Sequence, residues 1–227
     1  MLTVAVVPAA GAGVRLGAGV PKALALIDGE PVLVHALRSL LAAPSVGAVV
    51  VCAPPAGLDT TRALCAGLSV RCPFEVVAGG DTRQESVARG LAVLPQGADV
   101  VLVHDAARAL VPAEVVERVV AAVRAGAGAV VPALPVTDTV KQVRGGVVVA
   151  TLDRSLLVAV QTPQGFRREV LEAAYAAAGA DLHFDDAGLV ERNGDQVSVV
   201  PGHPDAAKIT TPADLLVART VLAARRT

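Results

Sequence analysis

The chain has 227 residues, 53% hydrophobic and 18% charged, with a net charge of −1 at pH 7. That length suits one large domain with its own core. Near-neutral charge and 2% aromatic content exclude a generally basic or base-stacking nucleic-acid binder, so any anion site must be built from local groups.

The first predicted strand, 3–8, is an apolar run that opens into a glycine-rich loop, Val6 to Lys22. Ala9, Ala10, Gly11 and Gly13 come first, then Gly17 and Gly19, with two cations, Arg15 and Lys22. Glycines let a backbone approach a ligand and turn its N–H groups inward, and the cations suit phosphate oxygens. The loop departs from two familiar motifs. A P-loop needs Ser or Thr after its lysine, and here Ala23 follows Lys22. A dinucleotide fingerprint needs glycine where Leu16 stands. We therefore read a nucleoside triphosphate cradle of a third kind; the alternative is a connector with solvated cations. Lysine usage sharpens this reading. The lysines are Lys22, Lys141 and Lys208, against seventeen arginines, which hints at positions needing a compact ammonium head.

Helices are predicted at 31–43, 58–67, 83–94 and 112–125, alternating with strands at 46–53, 74–78, 99–104 and 128–132. The runs 49–51 and 99–103 do not alternate polar and apolar residues, as expected of strands buried on both faces. The pattern predicts an α/β fold with a mostly parallel central sheet and helices on both faces. Gly79-Gly80 ends the third strand, and Asp81 can cap the next helix. The same turn, with Gly80, Asp81 and Ser86, could instead face a planar base. Asp105 stands at the carboxyl end of the fourth strand, where open α/β sheets bind ligands. With Ala106 and Arg108 it suits a divalent cation and phosphates; a helix cap is the alternative. His104 reads as structural.

From Val136 to Val160 the rhythm changes to alternating Val, Thr and Lys about a Gly145-Gly146 turn. This predicts an inserted β-hairpin arm, which needs something to pack against; a second copy of the chain is the economical partner. Asp138, Thr139, Lys141, Asp153, Arg154 and the run Gln161-Thr162-Pro163-Gln164 could hold a smaller phosphorylated substrate, or simply decorate a solvated hairpin. Helices at 167–179 and 185–193, a strand at 196–200 and a helix at 212–225 complete the pattern. Asp185-Asp186 reads as a cap for the 185–193 helix. Cys52, Cys65 and Cys72 lack metal spacing and are expected to be buried free thiols of a cytoplasmic protein. No signal peptide or membrane span is expected.

The motifs PAAGAGVRLGAGVPK, GGDTRQESV, VLVHDAAR, PVTDTVK, LDRSLL, TPQGF, FDDAGLVE and KITTPADL stand in that order along the chain. In this the chain resembles the 2-C-methyl-D-erythritol 4-phosphate cytidylyltransferases of the non-mevalonate isoprenoid pathway, nearly end to end. The resemblance implies a Rossmann-like nucleotidyltransferase fold whose arm, at about 134–158, clasps a partner subunit to make a homodimer. It implies transfer of CMP from CTP to methylerythritol phosphate with Mg²⁺ or another divalent cation, and no nucleic-acid or membrane partner. Arg15 and Lys22 would steady the triphosphate and the transition state. Ala9, Ala10, Gly11, Gly13, Gly80, Asp81, Ser86, Asp105 and Ala106 would surround the nucleotide, with Asp105 at the metal. Arg108, Thr139, Arg154, Thr162 and Lys208 would hold the second substrate, Arg154 and Lys208 acting in catalysis.

Two departures touch substrate holding. Phe184 stands where the family usually has Thr or Ser, and Ala206-Ala207 replace an Asn-containing pair, leaving Asp205 as a possible polar contact. A single domain over 1–227 is expected, with no second domain after Thr227. Three alternatives stay open. They are a ribitol 5-phosphate cytidylyltransferase, a non-catalytic nucleotide-binding module, and an NAD-dependent dehydrogenase, the last weakened by Leu16 and by Val51-Cys52-Ala53 where an acidic residue would be needed.

Overall fold

The computed structural model describes residues 1–11, 21–68, 72–178 and 185–226. β1 (Leu2–Pro8) enters the glycine-rich loop, and a short pair, β2 (Leu26–Ile27) and β3 (Glu30–Pro31), leads into α1 (Val32–Leu41). β4 (Val46–Ala53), α2 (Leu58–Ala66), β5 (Phe74–Ala78), α3 (Arg83–Leu91), β6 (Ala98–Val103) and α4 (Ala113–Arg124) then alternate. β7 (Ala129–Pro135) precedes the arm, β8 (Lys141–Arg144) and β9 (Val147–Thr151). The chain returns through β10 (Val158–Val160) and β11 (Gln164–Arg167), then α5 (Arg168–Ala177), α6 (Asp186–Arg192), β12 (Val197–Pro201) and α7 (Pro212–Arg226).

β1 is central, paired in parallel with β4 on one side and β6 on the other, and β5 extends the sheet beyond β4. Its side chains alternate between faces. Ala5 and Val7 enter a core shared with α1 and α4, while Val4 and Val6 enter one shared with α3, α5 and α6. Both faces are therefore covered, which is why these strands read as continuous apolar runs. In α4, Val115, Val116, Val119, Val120 and Val123 form one buried stripe at helical spacing. Each buried valine contributes roughly 1.5–3 kcal/mol by leaving water. α7 closes a third cluster over Ile27, Ala36, Leu110 and Ile209.

The expected parallel sheet is interrupted by one crossing that the sequence pattern does not disclose. β11 runs antiparallel between β6 and β7, and β12 pairs in parallel with the far side of β7. β10 lies along the same edge of β7 as β11, with Val160 opposite Ala133 and Gly165 opposite Val130. Between them the strand bulges at Gln161–Pro163. No strand is predicted at TPQGF, because β11 has four residues and starts beside a proline. Burial decides otherwise: Phe166 is fully enclosed, and Gly165 leaves room for Val119, which a Cβ there would approach to 2.4 Å.

The arm stands apart from the main sheet as a two-stranded hairpin. Gly145 and Gly146 both adopt positive φ, as a tight hairpin turn requires. Lys141 donates to Thr151 across the strands at 2.7 Å, an ordinary cross-strand pair. The three cysteines are free thiols; Cys52 and Cys65 are buried as expected, whereas Cys72 is half-buried.

Candidate active site

The carboxyl ends of β1, β4, β5 and β6 face one edge of the sheet, and their loops line a cleft of about 410 Å³. Pro8, Ala9, Ala10 and Gly11 follow β1; Pro55 follows β4; Gly80 to Arg83 follow β5; Asp105 to Ala107 follow β6. Lys22 and Lys208 complete the lining with Ala23 and Ser86. The loops start where the ladders end: Ala9 donates to the Cys52 carbonyl, Gly79 to Ala53 and His104 to Val6. Strand pairing thus carries straight into the site.

Asp105 is the buried carboxylate of this cleft. One oxygen accepts from Arg83 Nε at 2.9 Å, and the other meets Lys208 Nζ at 2.6 Å. Burial opposes its charge, but Arg83 and Lys208 overcome that and hold the carboxyl well below the usual carboxylate range. Arg83 also reaches Asp186, which is fully buried, at 2.7 Å, and Tyr175 donates its hydroxyl to Asp186 at 2.6 Å. Burial works against the Arg83 charge, and Asp186 and Asp105 more than offset it, raising its pKa. Two carboxylates and two cations therefore form one compensated chain from the core to the cleft, as buried charge requires.

Behind Asp105 a second chain holds its backbone. The Asp105 amide donates to Thr162 Oγ1 at 3.0 Å. Thr162 lies 3.1 Å from His104 Nδ1, and His104 Nε2 lies 3.2 Å from the Arg108 carbonyl. A carbonyl can only accept, so Nε2 carries the proton and Nδ1 accepts from the threonine hydroxyl. Burial pushes His104 down to about 4 and keeps it neutral, in line with its structural reading. The Arg108 guanidinium donates to the Ala206 carbonyl at 2.8 Å and the Val160 carbonyl at 3.2 Å, and its buried Nε–H has no acceptor among the described residues.

At the β5 end, Ser86 Oγ accepts from the Gly80 amide at 3.1 Å and donates to the Thr82 carbonyl at 2.9 Å. A Cβ at Gly79 would come within 2.5 Å of Ala10 Cβ, so the two loops touch because one position has no side chain. The expectation that Asp81 caps α3 is corrected here. Thr82 is the cap, its hydroxyl accepting from the Glu85 amide, while Glu85 accepts from the Asp81 amide. The exposed Asp81 lines the cleft without that duty.

The structure therefore gathers Ala9, Ala10, Gly11, Lys22, Gly80, Asp81, Ser86, Asp105, Ala106 and Lys208 around one cleft. Thr162 and Arg108 stand behind it, tied to Asp105 and to the Lys208 loop. Thr139 and Arg154 lie on the exposed arm, outside the lining of the cleft; Arg154 donates to the Thr137 carbonyl. Gly13, Arg15 and Phe184 lie outside the described residues. Asp205 is engaged away from the cleft, accepting from Arg225 of α7 at 2.7 Å. Asp185 caps α6 as read, accepting from the Gly188 amide, but Asp186 does not share that duty. Arg83 is a site residue that its motif does not announce. Its signal was indirect, an arginine in a first helical turn, where the helix dipole disfavours a cation unless carboxylates face it.

Comparison with known proteins bears on the same cleft. The family model for 2-C-methyl-D-erythritol 4-phosphate cytidylyltransferase matches residues 3–224. A protein of that name from Saccharopolyspora erythraea is 57% identical, covering 98% of this chain and 100% of its own. One from Streptomyces avermitilis is 53% identical over 99% of this chain and 93% of its own. Among solved structures, a 4-diphosphocytidyl-2C-methyl-D-erythritol synthase from Anaerococcus prevotii superposes with a TM-score of 0.85 at 26% identity, covering 98% of each chain. A 2-C-methyl-D-erythritol 4-phosphate cytidylyltransferase from Thermus thermophilus gives 0.75 at 35% identity, covering 97% of this chain and 98% of its own.

Proposed function

The chain belongs to the 2-C-methyl-D-erythritol 4-phosphate cytidylyltransferase family, and from that premise we propose how its cleft works. It transfers CMP from CTP to 2-C-methyl-D-erythritol 4-phosphate, giving 4-diphosphocytidyl-2-C-methyl-D-erythritol and pyrophosphate, a step in isoprenoid precursor biosynthesis. End-to-end identity with relatives of that name carries this conclusion.

The chemistry needs no covalent enzyme group. The substrate phosphate is already an anion and attacks the α-phosphorus in line. The difficulty lies in bringing two polyanions together while charge grows on the leaving pyrophosphate, and fixed cations answer it. We assign the cytidine to the β1 and β5 loops, where Ala9, Ala10, Gly80, Asp81 and Ser86 line the cleft and the Gly79–Ala10 approach sets its width. Lys22, from the lining, and Arg15 answer the triphosphate and the leaving group. Lys208 sits beside Asp105 and, with Arg108 and Thr162 behind it, is assigned to the second substrate.

For the metal, Asp105 offers a carboxylate kept ionised, but both its oxygens already face cations. Among the described residues no group of three candidate ligands comes together. Asp105 would be the protein carboxylate for a Mg²⁺ ion held mainly by the triphosphate, since Mg²⁺ commonly binds through one or two carboxylates and substrate phosphates. Such an ion, when bound, neutralises triphosphate charge.

For assembly, the arm leaves Val143, Val147, Val148, Val149 and Leu156 each more than half exposed in a single chain. A homodimer in which each arm covers its partner gives those side chains a place and brings Thr139 and Arg154 to a cleft. The three free thiols suit a reducing compartment, the cytoplasm. No helix among the described residues is long and apolar enough to cross a membrane.

One assay tests the reaction: pyrophosphate release with each of the four nucleoside triphosphates, against methylerythritol phosphate and ribitol 5-phosphate. Release with CTP and methylerythritol phosphate is expected; preference for ribitol 5-phosphate overturns the substrate assignment, and no release with any pair overturns the enzyme.

A further inference from the structure

Lys208 lies in a segment with little regular structure, yet that segment is pinned at Gly202, His203, Ala206 and Ile209. The Gly202 amide donates to the Ala133 carbonyl at 2.8 Å. Pro204–Ala206 form one 3-10 turn, closed by the Ala206 amide on the His203 carbonyl at 3.0 Å. Arg108 holds the Ala206 carbonyl, and the Ile209 amide donates to Ala107 at 2.8 Å. Lys208 sits between the last two clamps.

The start of the segment depends on one buried side chain. Gln161, 5% exposed, donates from Nε2 to the His203 carbonyl at 3.0 Å and accepts from the His203 amide at Oε1, also at 3.0 Å. A primary amide is the group that can serve both backbone partners at once. The fit is close: a Cβ at Gly202 would lie 2.3 Å from Gln161 Oε1. Gln161 is itself fixed, its amide donating to the Pro132 carbonyl at 2.7 Å. It stands at the bulge where the arm returns to the sheet, directly before Thr162, which holds Asp105. One turn of chain thus carries the root of the arm, the support of Asp105 and the anchor of the Lys208 loop.

We propose that Gln161 is a positioning residue for the second substrate: by clamping both backbone groups of His203 it sets the loop that presents Lys208. The inference rests on the assignment of Lys208 to methylerythritol phosphate. A leucine of similar size at 161 would fill the space and leave the His203 amide without its acceptor. A glutamate would keep that acceptor and set its second oxygen against the His203 carbonyl. The loop would then start from a looser point, and the ammonium would spend less time at the substrate phosphate. CTP is assigned to the β1 and β5 loops, which this clamp does not touch.

The test compares Gln161→Leu, Gln161→Glu, Lys208→Ala and the double variant Gln161→Leu/Lys208→Ala. Steady-state kinetics in both substrates are measured on protein confirmed folded by circular dichroism, with melting temperatures recorded separately. Gln161→Leu is expected to raise KM for methylerythritol phosphate about tenfold, and Gln161→Glu by less, with KM for CTP changed by less than about twofold. In the Lys208→Ala background Gln161→Leu should add little, because the side chain it positions is gone. The proposal is overturned if Gln161→Leu lowers only the melting temperature, if it raises both KM values equally, or if the double variant shows the full product of the single effects. If Lys208→Ala itself leaves KM for methylerythritol phosphate unchanged, the Lys208 assignment fails instead, and the proposal fails with it.

Discussion

His104→Gln should change how stability depends on pH more than it changes stability itself. The imidazole is fully buried and pushed down to about 4, against about 6.5 for a free histidine. Between those values the unfolded chain binds a proton that the folded chain refuses, so folding stability falls as pH drops from about 6.5 to about 4. The whole interval corresponds to about 3 kcal/mol, and the part between pH 7 and pH 5 to about 2 kcal/mol. Gln at 104 can still donate to the Arg108 carbonyl but leaves the Thr162 hydroxyl without its acceptor. We expect it to cost about 1–2 kcal/mol at pH 7. Because the variant lacks the titrating ring, its stability should fall less on acidification, and the two proteins should converge near pH 5. Urea unfolding followed by circular dichroism at pH 7, 6 and 5 reads this directly, the remaining three histidines contributing alike to both proteins. Parallel stability curves would refute the neutral, buried assignment and with it the proton placement in the Asp105–Thr162–His104 chain.

Lys22→Ala and Arg15→Ala should each lower kcat by ~10²–10³ with the fold intact, as loss of a preorganised charge contact does; loss of folded protein with normal specific activity of the remainder would count against both roles. Arg83→Ala should destabilise the chain by about 3 kcal/mol, at the low end for a broken buried pair because Arg83 is one-third exposed and Tyr175 still serves Asp186. That corresponds to a melting temperature lower by roughly 6–12 °C, and an unchanged melting curve would show that the cluster is not compensated as described. Val148→Asp, on the exposed arm, should turn a dimer into a monomer in analytical ultracentrifugation while leaving the melting of the protomer nearly unchanged; an unaltered mass would remove the arm from the interface.

The strands and helices around the cleft were legible because each carries a simple signal. β1, β4 and β6 are apolar without alternation, α4 repeats valine on one stripe, and Gly145-Gly146 announces the hairpin. Asp105 was legible too, as an acid at the end of a buried strand. What escaped was set by partners distant in sequence. β11 has no pattern of its own and becomes a strand because β6 and β7 flank it. Thr82 displaced Asp81 as the α3 cap because Glu85 reaches back to the Asp81 amide, a choice made among neighbours of similar propensity. Arg83 and Asp186 are 103 residues apart, and nothing local in either motif states that they meet. Gln161 reads only as one member of the run Gln161 to Gln164 until the His203 backbone arrives against it.

Tyr175 gives the cluster an unplanned use. The chain has no tryptophan and this single tyrosine, so emission excited at wavelengths that spare its three phenylalanines arises from one ring. That ring's hydroxyl donates to Asp186, which shares Arg83 with Asp105. The protein therefore carries a native, label-free optical reporter wired by three consecutive contacts to the carboxylate of its own cleft.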